Sequence, residues 1–470
     1  MYHIAGNFSS VYDNVLKSNG NYDKIMYEVY GVYDKAVERN IPMKYNDILE
    51  HINRGGCDSS FRRLYPGVGL EAERCRYAEA VRQFGEIFGT EGDISLFSVP
   101  GRSELSGNHT DHNHGCVIAA SIDLDIIAVA RPRDDGTVRL QSRGFTMDHV
   151  TPEQCEVPDA QGTGHSSSLI AGVINGLRRS GHAAGGFDAY TTSEVLKGSG
   201  LSSSAAFEDM IGTIENYFYN DGKIGYVEIS QISQYAENRF FGKPCGLMDQ
   251  VACAAGGIVS IDFADPSAPV VEKVDFDITG AGYCLCIVDT GGNHADLTAD
   301  YAAVPAEMKA VAAYFGREYL RDVDENAVLE SIPELRKVCG DRAVLRALHF
   351  YAENRRVALQ REALRHGRLD EYFAEVRASG RSSFCYLQNV FTTANVREQG
   401  LSLALCLAER FFEDGVRGAY RVHGGGFAGT VQAYVPADKV DKFRNMMDGV
   451  FGVGACAVLH IRPDGAARIV

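Results

Sequence analysis

The sequence predicts a chain of mixed helices and strands divided into two domains. Three observations carry this reading. At 470 residues the chain exceeds what a single hydrophobic core organises. Segments with helical spacing alternate with apolar, β-branched runs bounded by Gly and Pro. The Pro/Asp-rich stretch FADPSAPVVEKVDFDITG is followed by a fresh apolar strand, YCLCIVDTGG, which sets a boundary near residue 280. The expected organisation is an N-terminal helical extension over residues 1–65, a first domain over 66–280 and a second over 281–470.

The extension is polar and Tyr-rich, with two helices expected in YDKIMYEVYGVYDKAVERN and MKYNDILEHINRG. LEAERCRYAEAVRQFGEIFG repeats apolar residues at helical spacing and stops at Gly89. DISLFSVPG reads as a strand. CVIAASIDLDIIAVARP lies between Gly115 and an Arg-Pro, is rich in Ile and Val, and reads as a long strand; VRLQS is expected to pair near it. HSSSLIAGVINGLRRSG is helical. AYTTSEVLKGSGLSSSAAFEDMIGTIENYFYN reads as strand, Gly/Ser loop and helix, and YVEISQISQYAENRFFG as a helix ended by Gly242 and Pro244. Long helices fill 300–415, and AYRVHGGGFAGTVQAYVP is a Gly loop leading into a strand.

Bulk composition narrows the function classes. Acidic residues outnumber basic ones 62 to 46, a net charge of −16, so phosphate-backbone binding is not expected and nucleic acid is not a partner. The twelve cysteines form no CxxC pair and are too sparse for a disulfide scaffold. The N-terminus has no basic region before an apolar run, and no 18-residue apolar stretch occurs. A cytoplasmic protein with no membrane partner is expected, acting as a monomer.

Four stretches carry chemistry. KGSGLSSSAAFED places serines behind Gly198 and Gly200 at a helix start, either a plain N-cap or an anion site made of free N–H groups and the positive dipole end. HGGGFAGT, residues 423–430, suits either a tight turn or close backbone approach to a neighbour. In AENRFFGKPCGLMDQ, Asp249 sits among Leu247, Met248, Val251 and Ala252, so it is either a helix cap or a working carboxylate. PGRSELSGNHTDHNHG admits three readings: a metal site of His109, Asp111, His112 and His114, a solvated polar turn, or a loop that binds sugar hydroxyls, with Arg102 as an anion fork.

In this order the stretches resemble galactokinases, within the superfamily of galactokinase, homoserine kinase, mevalonate kinase and phosphomevalonate kinase (GHMP kinases). PGRSELSGNHTDHNHG is similar to PGR-x-N-L-I-G-E-H-T-D-Y-N-x-G, GSGLSSSAA to the second superfamily motif, and HGGGFAGT to the third. AENRFFGKPCGLMDQ is similar to A-E-x-x-F-x-G-x-P-C-G-I-M-D-Q, and RAVLRALHFYAENRRVALQREAL to the helix before the last motif. The resemblance covers about residues 70–465. It implies an α+β, two-lobed GHMP-kinase fold with the active site between the lobes, and an ATP-dependent sugar 1-kinase that makes α-D-galactose 1-phosphate. It implies Asp249 as the base toward the anomeric hydroxyl and Arg102 as the cation that neutralises the transferring phosphoryl group. Gly198, Ser199, Gly200, Leu201, Ser202, Ser203 and Ser204 would cradle ATP. Ser204 and Glu237 would bind Mg²⁺, and Asn108, His109, Thr110, Asp111 and Tyr301 would bind the sugar.

The chain departs from the pattern at several positions. Glu104-Leu105-Ser106 stands for Asn-Leu-Ile, Asn108 for Glu, and His112 for Tyr. VDTGGNHADLTADYA lacks the usual basic residues, and YLQNVFT replaces S-C-P-E-L-D-x-L. By resemblance the residue at 108 reads the sugar's C6 hydroxyl. An Asn there removes the charge and adds an amide donor, which leaves galactose and galacturonate both compatible; galacturonokinase-type sequences of plants likewise lack this Glu and carry the His. A galactokinase-like sensor that binds sugar and ATP without turnover is the alternative of a different class.

Overall fold

The computed structural model describes residues 43–158, 163–195, 200–243, 245–292, 297–413 and 415–470. The helix expected over 22–40, and Gly198 and Ser199, lie outside the described residues. The chain opens with a short strand β1 (Met43–Lys44), helices α1 (Tyr45–Asn53), α2 (Asp58–Leu64) and α3 (Leu70–Phe88). Next come β2 (Asp93–Ser106), β3 (Cys116–Arg133), β4 (Val138–Ser142), β5 (Asp148–Val150), α4 (Ser166–Arg179) and β6 (Gly186–Ser193). Then α5 (Ser203–Tyr219), α6 (Tyr226–Ala236), α7 (Met248–Ala255), β7 (Ile258–Asp262) and β8 (Val270–Val274) complete the first lobe.

Among the described residues nine strands form its sheet, ordered β1-β2-β3-β6-β4-β5, with β7 also on β3 and β8 on β7. The long strands β2 and β3 pair antiparallel, Leu96 opposite Val129 and Arg102 opposite Ser121. Both faces of this sheet are covered, which explains why β3 reads as an unbroken apolar run. Leu96, Ile127 and Val129 pack with Tyr77, Val81 and Phe84 of α3 and with Ile48 and Ile52 of α1. Their neighbours Phe97, Ile126 and Ala128 point the other way, into Ile170, Ile174, Met210 and Ile214 of α4 and α5. VRLQS is a strand, but it pairs parallel with β6, one strand removed from β3.

The second lobe contains β9 (Tyr283–Asp289), α8 (Thr298–Tyr314), two short helices, α9 (Asp341–Arg365), α10 (Leu369–Ser382) and α11 (Gly400–Glu413). It continues with β10 (Ala419–Val422), β11 (Thr430–Pro436), α12 (Val440–Phe451) and β12 (Cys456–Leu459). Its antiparallel sheet runs β10-β11-β9-β12, with Val431 opposite Val288. Cys286, Val288 and Val431 face Phe411 and Phe443 of α11 and α12, while Leu285, Ile287 and Tyr434 join the core that also holds the first lobe's helices.

Two expected boundaries differ from the structure. Residues 43–65 are part of the first lobe, because β1 pairs with β2 and Phe61, Leu64 and Tyr65 are buried with α3. The chain's end also returns to that lobe. Strand β13 (Ala467–Arg468) pairs with β2, and Ile469 N–H donates to the Leu96 carbonyl at 2.7 Å. The guanidinium of Arg462, fully buried, donates to Ser98 Oγ at 2.7 Å and Asp125 Oδ2 at 3.2 Å.

Candidate active site

Strand β2 delivers Arg102 to the start of α5. Its Nε and Nη2 donate to the same oxygen, Asp249 Oδ1, at 2.9 and 2.7 Å, and Nη1 reaches the Gly200 carbonyl. Asp249 lies in the first turn of α7, and Ser202 Oγ donates to its other oxygen. Burial works against the Asp249 carboxylate, but Arg102 and the Ser202 hydroxyl outweigh it and hold its pKa below the ordinary value. Asp249 is therefore ionised, partnered and still one-third exposed at the side chain, against 7% for Arg102. That geometry favours a working carboxylate over a helix cap.

The Gly/Ser loop supplies side chains to this corner rather than to its own helix. Gly200 takes φ of 71° and Ser202 of 60°, a left-handed conformation that turns the chain sharply. Among the described residues no side chain caps α5: Ser202 Oγ goes to Asp249, and Ser204 Oγ donates to Glu237 Oε1 at 3.3 Å. The first turn of a 17-residue helix thus opens next to Arg102 and Asp249, an arrangement suited to an anionic phosphate.

Glu237 begins a π-turn that interrupts the helix after Ala236 and ends at Gly242, φ 82°. Its Oε1 also accepts from Lys243 Nζ at 2.8 Å. Gln250 Nε2 lies between Glu237 Oε2, 3.1 Å, and Glu208 Oε2, 3.2 Å. Burial, with Glu237 adding to it, pushes the Glu208 carboxyl well above its ordinary pKa, so the pair is spared a second buried charge. A hydroxyl and a carboxylate oxygen 3.3 Å apart are hard donors that suit Mg²⁺ keeping waters and phosphate oxygens as its other ligands.

The loop after β2 places its residues differently from one another. His109, at φ 59°, has Nε2 2.9 Å from the Gly425 carbonyl. Burial, with His112 contributing, lowers its pKa to about 4. The neutral ring donates from Nε2, which leaves Nδ1 as an acceptor. Asp111 lies over Gly246, where a Cβ would sit 2.2 Å from Oδ2. Two expected sugar ligands are otherwise occupied. Thr110 Oγ1 lies 2.9 Å from the Gly107 carbonyl and 2.7 Å from that of Cys116, so it ties the turn. Asn108 is fully buried and its amide is bonded on every side by protein. The metal reading of the histidines does not match the geometry either: His114 stacks on Tyr319 with ring centroids 3.7 Å apart, and among the described residues no group of three or more His, Cys, Asp or Glu converges.

The third loop, residues 423–429, joins β10 to β11 and is a close-approach loop. A Cβ at Gly425 would sit 2.7 Å from the Tyr301 ring, and one at Gly426 would strike the Asn389 carbonyl. Tyr301 Oη donates to the Gly426 carbonyl at 2.6 Å, so this tyrosine braces the loop from α8. His423 lies 3.1 Å from Ser103 Oγ and 2.9 Å from Thr430 Oγ1, joining the loop to β2. Sequence reasoning missed Glu104, Lys243, Gln250 and His423. Lys243 and Gln250 were signalled by lying in one motif with Asp249, and Glu104 by standing where the motif carries another residue; no local signal marked His423.

The chain is similar to known proteins over most of its length. A galactokinase galactose-binding signature matches residues 82–132, and a GHMP kinase N-terminal domain matches 174–257. The galactokinase of Streptomyces coelicolor is 32% identical over 402 residues, 82% of this chain and 96% of its own length. That of Enterococcus faecalis is 31% identical over 369 residues, 77% of this chain and 91% of its own. The crystal structure of Lactococcus lactis galactokinase complexed with galactose superposes with a TM-score of 0.70 at 24% identity, covering 84% of this chain and 99% of that one. Methanococcus jannaschii mevalonate kinase superposes at 0.56 and 15% identity, covering 79% and 99%.

Proposed function

The chain belongs to the galactokinase family of the GHMP kinases, and from that membership we propose that it transfers the γ-phosphoryl group of ATP to the anomeric hydroxyl of D-galactose, giving α-D-galactose 1-phosphate and ADP. It is a sugar kinase. The observation that carries the detailed reading is the contact of Arg102 with Asp249 beside the open first turn of α5. In this reading Asp249 accepts the proton of the anomeric hydroxyl as that oxygen attacks the γ-phosphorus and the bond to ADP breaks. Arg102 keeps Asp249 ionised and offsets charge on the phosphoryl group in flight. Loose phosphoryl transfer needs little more than such positioning and neutralisation. The loop from Gly200 to Ser204 holds the phosphates, and His109 and Asp111 bind sugar hydroxyls. Ser204 and Glu237 would hold Mg²⁺, which supplies charge neutralisation at the ATP oxygens.

None of the twelve cysteines lies in a disulfide and three are exposed, which supports a reducing, cytoplasmic setting. No helix among the described residues is long and apolar enough to cross a membrane. The test is ADP release by the purified protein with ATP, Mg²⁺ and a panel of hexoses and uronic acids. Turnover with galactose supports the reading. Binding of sugar and ATP without ADP release would make the protein a sensor instead.

A further inference from the structure

Positions 104 and 108 carry an acid and an amide in the reverse of the family motif, and the structure brings the two side chains into contact. Asn108 Nδ2 donates to Glu104 Oε1 at 3.2 Å and to the Gly424 carbonyl at 2.7 Å. Its Oδ1 accepts from Asn389 Nδ2 at 2.8 Å and Ser383 Oγ at 3.2 Å. An Asn amide has two donor hydrogens and two acceptor lone pairs, and all four are used. Nothing of Asn108 remains for a ligand.

Glu104 is built the opposite way. It is 4% exposed, and its Oε1 is clamped by Asn108 and by Arg421 Nη2 at 2.6 Å. Oε2 takes no hydrogen bond from the described residues, and the side chain keeps 6% of its surface exposed. Glu104 stands two residues from Arg102 in a regular stretch of β2; burial raises its pKa above the ordinary value, and Arg421 and then Arg102 oppose that rise without cancelling it. A carboxylate oxygen held this rigidly two residues along β2 from Arg102 is an acceptor left for a donor from outside the protein.

We propose that Glu104 is the specificity-determining residue of the sugar subsite, its Oε2 accepting a hydrogen bond from a substrate hydroxyl, and that Asn108 is the positioning residue that holds it. The proposal rests on the sugar-kinase reading. It also narrows the substrate class. An acceptor-only carboxylate, its charge already balanced by Arg421, takes a hydroxyl and repels a carboxylate, so the subsite fits a neutral hexose and disfavours a uronic acid.

The test is kcat/KM for galactose, its four monodeoxy analogues and galacturonate, in wild type and in Glu104→Gln. A hydrogen bond to a charged group is worth roughly tenfold or more. One deoxy analogue should lose at least about that factor against galactose in wild type and under threefold in the variant, while KM for ATP stays within twofold. The preference for galactose over galacturonate should shrink in the same variant. Equal deoxy penalties in both proteins, with an unchanged uronate ratio, would overturn the proposal. If Glu104→Gln does not fold, Glu104→Asp, which keeps the charge and withdraws the carboxylate by one methylene, enters the same comparison with the same two outcomes. Failure of the kinase reading would appear separately, as no ADP release by wild type with any sugar; sugar affinities by calorimetry then carry the comparison.

Discussion

Arg102 grips a single oxygen of Asp249 with two nitrogens, Nε at 2.9 Å and Nη2 at 2.7 Å, and leaves the carboxylate one-third exposed. The arrangement fixes the charge of Asp249 while leaving it reachable. Asp249→Asn should lower kcat by about a hundredfold or more while ATP binding survives; a variant retaining a tenth of wild-type kcat would remove Asp249 as the base. The sign of the pH dependence follows from the lowered pKa. With its pKa held below the ordinary Asp value, Asp249 should not set an acid limb until the pH falls below the range in which an ordinary Asp protonates. Arg102→Met should move that acid limb upward, because burial is then unopposed by the cation. The same depressed pKa adds stability above the unfolded-state value that is lost as pH falls through the folded one.

Ser204 and Glu237 meet at 3.3 Å. Ser204→Ala and Glu237→Gln should each raise the Mg²⁺ concentration for half-maximal rate at fixed ATP, by about tenfold or more for the carboxylate, since one charged ligand is lost from a site that holds few. Titration of the rate against Mg²⁺ measures this, and unchanged half-saturation in both variants would move the metal elsewhere.

Gly246→Ala tests Asp111. A Cβ there collides with Asp111 Oδ2, so the carboxylate must shift. Displacement of a positioning group by about 1 Å costs on the order of a hundredfold. KM for the sugar should rise and KM for ATP should not. Steady-state kinetics with each substrate varied in turn gives both numbers, and a proportional change in both would show that Asp111 does not contact the sugar.

Asn108→Glu probes the network rather than the substrate. The new carboxylate would face Glu104 Oε1 and the Gly424 carbonyl, both acceptors that Nδ2 now satisfies. A loss of about 3 kcal/mol in urea unfolding is expected, with activity reduced on every sugar alike. A variant as stable as wild type would mean that the amide's bonds are dispensable.

Arg462→Ala should destabilise by about 3 kcal/mol, near the lower end for breaking a buried pair, because Arg76 still holds Asp125 Oδ1 at 2.6 Å. Urea unfolding measures it, and a cost under about 1 kcal/mol would show that the returning tail is not anchored there.

Local pattern determined much of this protein. The helices of 70–88 and 166–179, the strands that begin at Asp93, Cys116 and Tyr283, and the motifs holding Arg102, Ser204, Glu237 and Asp249 were all legible, because apolar period, Gly punctuation and motif order are properties of neighbouring residues. What only the tertiary structure decided lies across long separations in the chain. Nothing near Asn108 in sequence reveals that Gly424, Ser383 and Asn389 consume its amide, and nothing near Arg462 reveals Asp125. Whether a polar side chain is open to a ligand or spent inside the protein depends on which distant groups converge on it, and that is set by the packing of the lobes: Asn108 reads as a sugar ligand in one dimension, whereas in three its amide is spent on Gly424, Ser383 and Asn389.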